Sequence, residues 1–238
     1  MREIRSFPYG KPGKLRPLNT WGGVPAGCDP STFWVLRIVV DGPVDARTGY
    51  LCDIKALDAV LYDVVEAPLA ECTTSGNHLR SITTTLREVF EGAGPGAPGL
   101  PMPVVIDSLE LETSPYLRFQ VVRGETGMVR VTRSFEFSAA HRLYCERLSE
   151  EENLRVFGKC SNPHGHGHNY VLEVTVGGTP REVGTVVDPP LLDRVVNERV
   201  IRPFDHKNLN VECDDFSALN PSVENIARVI WGRLAGGF

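Results

Sequence analysis

Gly165-His166-Gly167-His168-Asn169-Tyr170-Val171-Leu172-Glu173-Val174-Thr175-Val176 decides how the rest of this chain is read. His166, His168, Tyr170, Leu172, Val174 and Val176 share one parity, so an extended segment carries all six on one face. The face is apolar along most of its length and ends in two imidazoles. A strand whose buried face runs out into a His-x-His pair places those rings at the edge of a core. Gly177-Gly178 then closes the run as a turn.

The same pattern occurs earlier in the chain. Phe33-Trp-Val-Leu-Arg-Ile-Val-Val40 is followed by Asp41-Gly42, by Gly49-Tyr-Leu-Cys-Asp53, and by a helical stripe through Leu57, Val60, Leu61, Val64 and Val65 to Pro68. After the later strand come Gly184-Thr-Val-Val-Asp188 and a stripe through Leu192, Val195, Val196 and Val200 to Pro203. The offset is 136 residues at Val35/Val171 and 135 from Asp53/Asp188 onward, a one-residue loss in the hairpin. A duplicated strand–turn–helix unit accounts for this match. Asp188 is an expected N-cap, with Pro189 at the first helical turn where a missing N–H costs nothing. A second helix is expected over Pro221 to Trp231, with a weak counterpart over Leu79 to Phe90.

The expected class is α+β, an antiparallel sheet with helices on one face and a partial tandem duplication. Residues 1–30, with five Pro and five Gly, read as an irregular lead-in. Residues 31–125 form the first unit, which continues through Leu109-Glu-Leu-Glu112-Thr113 and a strand over Tyr116 to Val122. Residues 126–238 form the second, which opens with Met128 to Ser138 and lacks the last strands of the first.

Composition bounds the function classes. A net charge of −5, 42% hydrophobic and 23% charged residues describe an ordinary globular protein. Neither nucleic acid nor an anionic membrane is an expected partner, because no Lys/Arg run is present. No secretory leader or spanning segment is evident, so a cytoplasmic location is the default expectation. The six cysteines (Cys28, Cys52, Cys72, Cys145, Cys160, Cys213) form no CxxC pair and read as free thiols.

Chemistry concentrates in the second unit. His141 ends Phe135-Glu-Phe137-Ser-Ala139-Ala-His141, a second run of alternating apolar parity. With His166 and His168 it makes a three-imidazole set, the donor pattern of a zinc that keeps an open position. Copper and nickel are not excluded by affinity order alone. His164 overlaps the pair, and spacing alone does not decide which two of 164, 166 and 168 bind. Cys160, in Phe157-Gly-Lys-Cys160-Ser-Asn-Pro-His164, is either a fourth ligand or a thiolate activated by nearby positive charge. Asp205-His206 is either a proton-transfer pair, the carboxylate fixing the imidazole tautomer, or a simple helix-exit cap.

Four motifs in order carry a resemblance: Phe137-Ser-Ala-Ala-His141-Arg-Leu; Phe157-Gly-Lys-Cys160 through His166-Gly-His168-Asn-Tyr; Pro203-Phe-Asp205-His206-Lys-Asn-Leu-Asn; and Pro221-Ser-Val-Glu224-Asn. Together they resemble the 6-pyruvoyltetrahydropterin synthase / 6-carboxytetrahydropterin synthase family. The resemblance implies a tunnelling fold (T-fold) of ββααββ units that associate side by side, and hence a homo-oligomer. It implies Zn2+ on His141, His166 and His168, and proton transfer by Cys160, Asp205 and His206. It also implies 7,8-dihydroneopterin triphosphate as substrate, with Glu224 and a Glu-Thr carboxylate in substrate binding. Glu112-Thr113 of the first unit offers that last step. Glu112 is expected either to serve the metal site, within the chain or across a subunit contact, or to be an ordinary exposed edge-strand carboxylate. The six-residue step from Cys160 to His166 matches the 6-pyruvoyl type. The four-residue step to His164 matches the 6-carboxy type of queuosine synthesis. Outside the enzyme class stands a zinc scaffold closed by Cys160. A zinc hydrolase with no use for the thiol is the third reading.

Overall fold

The computed structural model describes residues 2–6, 34–66, 68–69, 78–93, 99–101, 103–181 and 185–237. Among the described residues, seven strands and the helices between them make an α+β architecture. The strands are β1 (Arg2–Ser6), β2 (Trp34–Asp41), β3 (Val105–Ser114), β4 (Leu117–Val122), β5 (Val129–His141), β6 (His166–Gly178) and β7 (Lys207–Asn208). The helices are α1 (Ile54–Ala59), α2 (His78–Ala93), α3 (Glu150–Phe157), α4 (Pro189–Val196), α5 (Arg202–Phe204), α6 (Leu209–Glu212) and α7 (Val223–Leu234). Among the described residues no helix is long and apolar enough to cross a membrane.

The chain divides into two compact units, Met1–Arg133 with Val174–Val186, and Ser134–Glu173 with Val187–Phe238. This differs from a cut at 125/126, because β5 and β6 are each divided between the two units.

In the first unit β1, β2, β3, β4 and β5 pair antiparallel in that order. Residues 2–6 were expected to be irregular. They instead form β1, with Arg2 opposite Ile38 and Ser6 opposite Trp34. The rest of the lead-in lies outside the described residues, as do Cys28 and Cys72. Leu36 and Ile38 of β2, Leu109 and Leu111 of β3, Phe119 and Val121 of β4, and Val129 and Val131 of β5 face a common core. Leu57, Val60, Leu61 and Val65 from the α1 segment, with Ile82 and Leu86 of α2, cover it. Strict alternation fails at Asp107. Val39 pairs Ser108 and Val40 pairs Ile106, so Asp107 is an extra residue. A bulge of this kind reverses side-chain parity, and it turns both Ile106 and Leu109 inward.

The opposite face of the first unit is polar. The Arg37 guanidinium bonds Glu110 and also Glu112, the latter at 2.9 Å. Glu110 is 3.7 Å from Arg118. Thr132 and Thr175 share a hydroxyl hydrogen bond at 2.9 Å.

In the second unit β5 is flanked by β6 and by β7, a two-residue parallel addition with Ala139 opposite Lys207. Its core holds Phe137, Leu192, Val196, Val200, Phe204, Leu209, Phe216, Ile226 and Ile230. The helix predicted after Asp188 begins there, but the Asp188 side chain makes no cap hydrogen bond. Asp53, at the matching place in the first unit, does accept from the Lys55 amide at 2.9 Å. Both helices then loosen into π-helical turns, Val60–Glu66 and Asn197–Ile201.

α3 starts on a reciprocal capping box between Ser149 and Glu152. Just inside it, buried Asn153 receives the Cys145 amide and donates to the carbonyls of Cys145, Leu148 and Ser149. One side chain thus satisfies the backbone of a loop that has no ladder of its own.

Candidate metal and thiol centre

His141 is the last residue of β5 and is buried, the end point of the Phe137–Ala139–His141 face. Its Nδ1–H donates to the Pro221 carbonyl at 2.7 Å. That bond turns Nε2 toward the rings of β6. The His141 ring centroid lies 4.7 Å from His166 and 4.9 Å from His168, which are themselves 4.5 Å apart. Three nitrogens about 2.0–2.1 Å from one tetrahedral ion would hold imidazole centroids about 5 Å apart.

His141 Nε2 and His166 Nδ1 are both buried with no hydrogen-bond partner. Buried ring nitrogens left unpaired call for an explanation, and a bound cation would supply one. Burial, then the neighbouring His168, lowers the pKa of His166. Burial is also the largest influence lowering that of His141, with His166 and His168 adding to it and the Pro221 carbonyl opposing. Neutral imidazoles are the form that binds metal.

His164 does not share this face. Gly165 adopts φ +68°, which breaks the extended chain before β6 begins. His164 lies exposed in the preceding turn, its amide donating to Asn162 Oδ1 at 3.1 Å. Parity counting across 164–168 therefore failed at the glycine. A Cβ on Gly165 would meet the His141 carbonyl at 3.0 Å, so the close approach of this turn to β5 also requires glycine.

Cys160 sits in the 3-10 turn Gly158–Ser161. Its sulfur and the ligand nitrogens of His141 and His166 all lie within 4.8 Å of one another, a group able to hold a metal ion. Its carbonyl accepts the Leu143 amide at 2.7 Å. Tyr170, next along the β6 face, stacks on Phe137 at 5.0 Å, and its buried hydroxyl has no partner. Burial, then the Cys160 charge, pushes the phenol up.

Asp205 and His206 form a pair around β5. Asp205 Oδ1 accepts the Ser138 amide at 2.9 Å, and its other oxygen lies 2.8 Å from His206 Nδ1. The Ser138 amide, then His206, hold the Asp205 carboxyl below its usual range. His206 carries φ +57°, the one positive value found on a non-glycine residue among those described. His206 directly follows the C-cap Asp205 of α5, the position at which helices commonly end in a left-handed residue. The backbone is fixed by the His206 amide donating to the Ser138 carbonyl at 2.6 Å. His206 and His168 line a groove of about 440 Å³ with Ser138, Ala140, Asn169 and Asn208. Ser138 and Asn169, which sequence reasoning passed over, are joined at 2.7 Å across it.

The structure thus brings the ligand atoms of His141, His166 and Cys160 within 4.8 Å of one another, stands the His168 ring beside both imidazoles, and sets His206 on the groove that His168 also lines. Glu224 lies exposed in the first turn of α7, where its own amide and Ser222 keep its carboxyl ionised below the usual range. Glu112 lies in the first unit, bonded to Arg37.

Residues 130–238 match the family model described as 6-pyruvoyl tetrahydropterin synthase. A Homo sapiens relative named 6-pyruvoyl tetrahydrobiopterin synthase is 44% identical over 112 residues, 47% of this chain and 77% of the relative. The chain belongs to the 6-pyruvoyl tetrahydropterin synthase family. A Rickettsia typhi 6-carboxy-5,6,7,8-tetrahydropterin synthase is 29% identical over 117 residues, 42% of this chain and 75% of that one. A solved structure of Caenorhabditis elegans 6-pyruvoyl tetrahydropterin synthase is 39% identical over 45% of this chain and 76% of its own, at a TM-score of 0.43.

The Gly165 contact yields a prediction. Gly165→Ala is expected to cost about 1–3 kcal/mol of stability, through a strained backbone and the crowded His141 carbonyl. It is also expected to weaken metal binding at least about tenfold. Denaturant titration and a competitive chelator assay check both, and wild-type values would remove the steric argument.

Proposed function

We propose that this protein is a zinc-dependent pterin synthase of the 6-pyruvoyl type, a lyase releasing triphosphate from 7,8-dihydroneopterin triphosphate. The observation that carries the reading is the convergence of three imidazoles, two with orphaned buried nitrogens, beside the Cys160 sulfur. The higher identity to relatives named 6-pyruvoyl tetrahydrobiopterin synthase than to the 6-carboxy relative supports the 6-pyruvoyl product over the 6-carboxy one.

His141, His166 and His168 would hold zinc, which when bound polarises substrate oxygens and acidifies adjacent C–H and O–H bonds. Cys160, beside these ligands, takes or returns a proton at Sγ. Asp205 holds His206 through Nδ1, so its Nε2 is the atom left to exchange protons with substrate or water. Ser138 fixes the carboxylate in turn, and the pair keeps one tautomer through the cycle. Glu224, ionised at the start of α7, accepts N–H groups from the pterin edge.

Glu112 is the second carboxylate of the proposal, and Arg37 holds it now. Binding at Glu112 would exchange a guanidinium of the protein for the guanidine-like edge of the pterin. β6, a 13-residue strand, ends the strand order among the described residues, and an edge of that length calls for cover. A homo-oligomer provides it. A scaffold reading also draws support from one observation: Cys160 is near enough to the His141 and His166 imidazoles to be a metal ligand with them.

Incubation with 7,8-dihydroneopterin triphosphate is expected to release triphosphate and give a product of 6-pyruvoyltetrahydropterin mass. Cys160→Ala should lower turnover about 10²–10⁴-fold with metal content unchanged. A 6-carboxy product mass would reassign the reaction, and full turnover in Cys160→Ala would favour hydrolysis by a metal-bound water. Separately, Glu112→Ala should raise KM for the pterin at least about tenfold, the worth of one charge-assisted pair. Unchanged pterin affinity would confine Glu112 to its ion pair with Arg37.

A further inference from the structure

Residues 141–144 reach three other segments of the second unit. His141 donates to the Pro221 carbonyl, the Leu143 amide to the Cys160 carbonyl, and the Tyr144 amide to Asn220 Oδ1. Arg142 does two things at once. Its backbone is clamped by one side chain: the Arg142 amide donates to Asn210 Oδ1 at 2.7 Å, and Asn210 Nδ2 donates to the Arg142 carbonyl at 3.0 Å. Its own side chain donates from Nε to the Ser161 carbonyl at 3.0 Å. The guanidinium lies over the Tyr144 ring, 4.0 Å from its centroid, which fixes the plane of the fork.

Cys160 is therefore held at two successive carbonyls, its own by Leu143 and the next one by Arg142. The turn that carries it is otherwise short of anchors. Gly158 takes φ +55°, and Ser161 Oγ closes the turn onto the Gly158 carbonyl at 2.8 Å. These bonds set the shape of the turn but not its place beside His141. Only the pair of bonds from residues 142 and 143 ties its backbone to the end of β5 among the described contacts of 158–161.

We infer that Arg142 is a positioning residue: through Ser161 it sets the Cys160 sulfur against the imidazole cluster, and Asn210 holds Arg142 in place. The inference rests on the proposed role of Cys160 in proton transfer. Asn210 closes the same motif that carries Asp205 and His206, so that segment and the thiol turn share one anchor. An error of about 1 Å in a reacting group costs on the order of a hundredfold in rate, which sets the scale of the effect.

The test uses the full-length, zinc-loaded protein with Arg142→Ala, Arg142→Lys and Asn210→Ala. Arg142→Ala is expected to lower kcat about 10–100-fold with KM within about twofold and zinc content at the wild-type level. Arg142→Lys should recover part of that loss, since an ammonium reaches the Ser161 carbonyl but cannot hold the planar stack. Asn210→Ala should fall the same way as Arg142→Ala.

The second readout does not depend on turnover. Cys160 alkylation by iodoacetamide, followed by peptide mass spectrometry at pH 10 to remove differences in ionisation, should accelerate at least about threefold in Arg142→Ala as the turn loosens. A raised KM with kcat preserved would make Arg142 a substrate-binding cation and overturn the inference. Unchanged kcat, or unchanged alkylation, would overturn it as well. If the wild-type protein shows no synthase turnover, the functional reading fails, while the alkylation comparison still decides whether Arg142 places the thiol.

Discussion

The hydrogen bond from His141 Nδ1 to the Pro221 carbonyl, at 2.7 Å, is the constraint on which the centre depends. It selects the tautomer of a buried ring, and so decides that Nε2 is the nitrogen presented to His166 and His168. A backbone carbonyl serves this purpose well, because it accepts only and does not titrate. Without that bond the ring has no fixed orientation, and the face of β5 ends in a buried imidazole with two unsatisfied nitrogens. The Pro221 carbonyl is itself fixed by the start of α7, where the Ser222 hydroxyl accepts the Asn225 amide and Asn225 Nδ2 donates to Asn220.

From there the second unit reads as a set of short segments drawn to the end of one strand. The His141–Tyr144 stretch has no sheet partner of its own for much of its length, and its polar groups are spent on the segments that carry chemistry. The turn bearing Cys160, the Asp205–Asn210 segment and the entry to α7 all meet it. Asp205–His206 takes its place a few residues earlier on β5, through the Ser138 amide and carbonyl. Left-handed backbone is found at the same points, at Gly158, Gly165 and His206, a conformation that glycine adopts freely and that His206 keeps through its surrounding contacts.

Much of this was legible in the residues. Alternation along 166–176 and 135–141 placed three imidazoles at the ends of two strand faces, because a period of two needs no knowledge of partners. Duplication gave the helices after Asp53 and Asp188. Other features were hidden for physical reasons. Gly165 could have been a flat strand residue, and only its left-handed conformation takes His164 off the ligand face. The Asp107 bulge reverses the parity of Ile106 with no sequence mark beyond the residue itself. The acceptors that orient His141, Leu143 and Arg142 are backbone carbonyls, which every residue has. Asn210 stood inside a quoted motif, but its task appears only when Arg142 lies opposite it. β1 was missed because one short strand in a Pro/Gly-rich lead-in has too few residues to show a period.

X-ray absorption at the zinc edge on the purified, metal-loaded protein tests the central claim most directly. The account predicts one zinc per chain with three imidazole nitrogens at about 2.0–2.1 Å and an oxygen in the remaining position. A sulfur shell at about 2.3 Å would make Cys160 a ligand and the site a closed structural one. Fewer than three imidazoles, or no zinc retained, would contradict the centre itself.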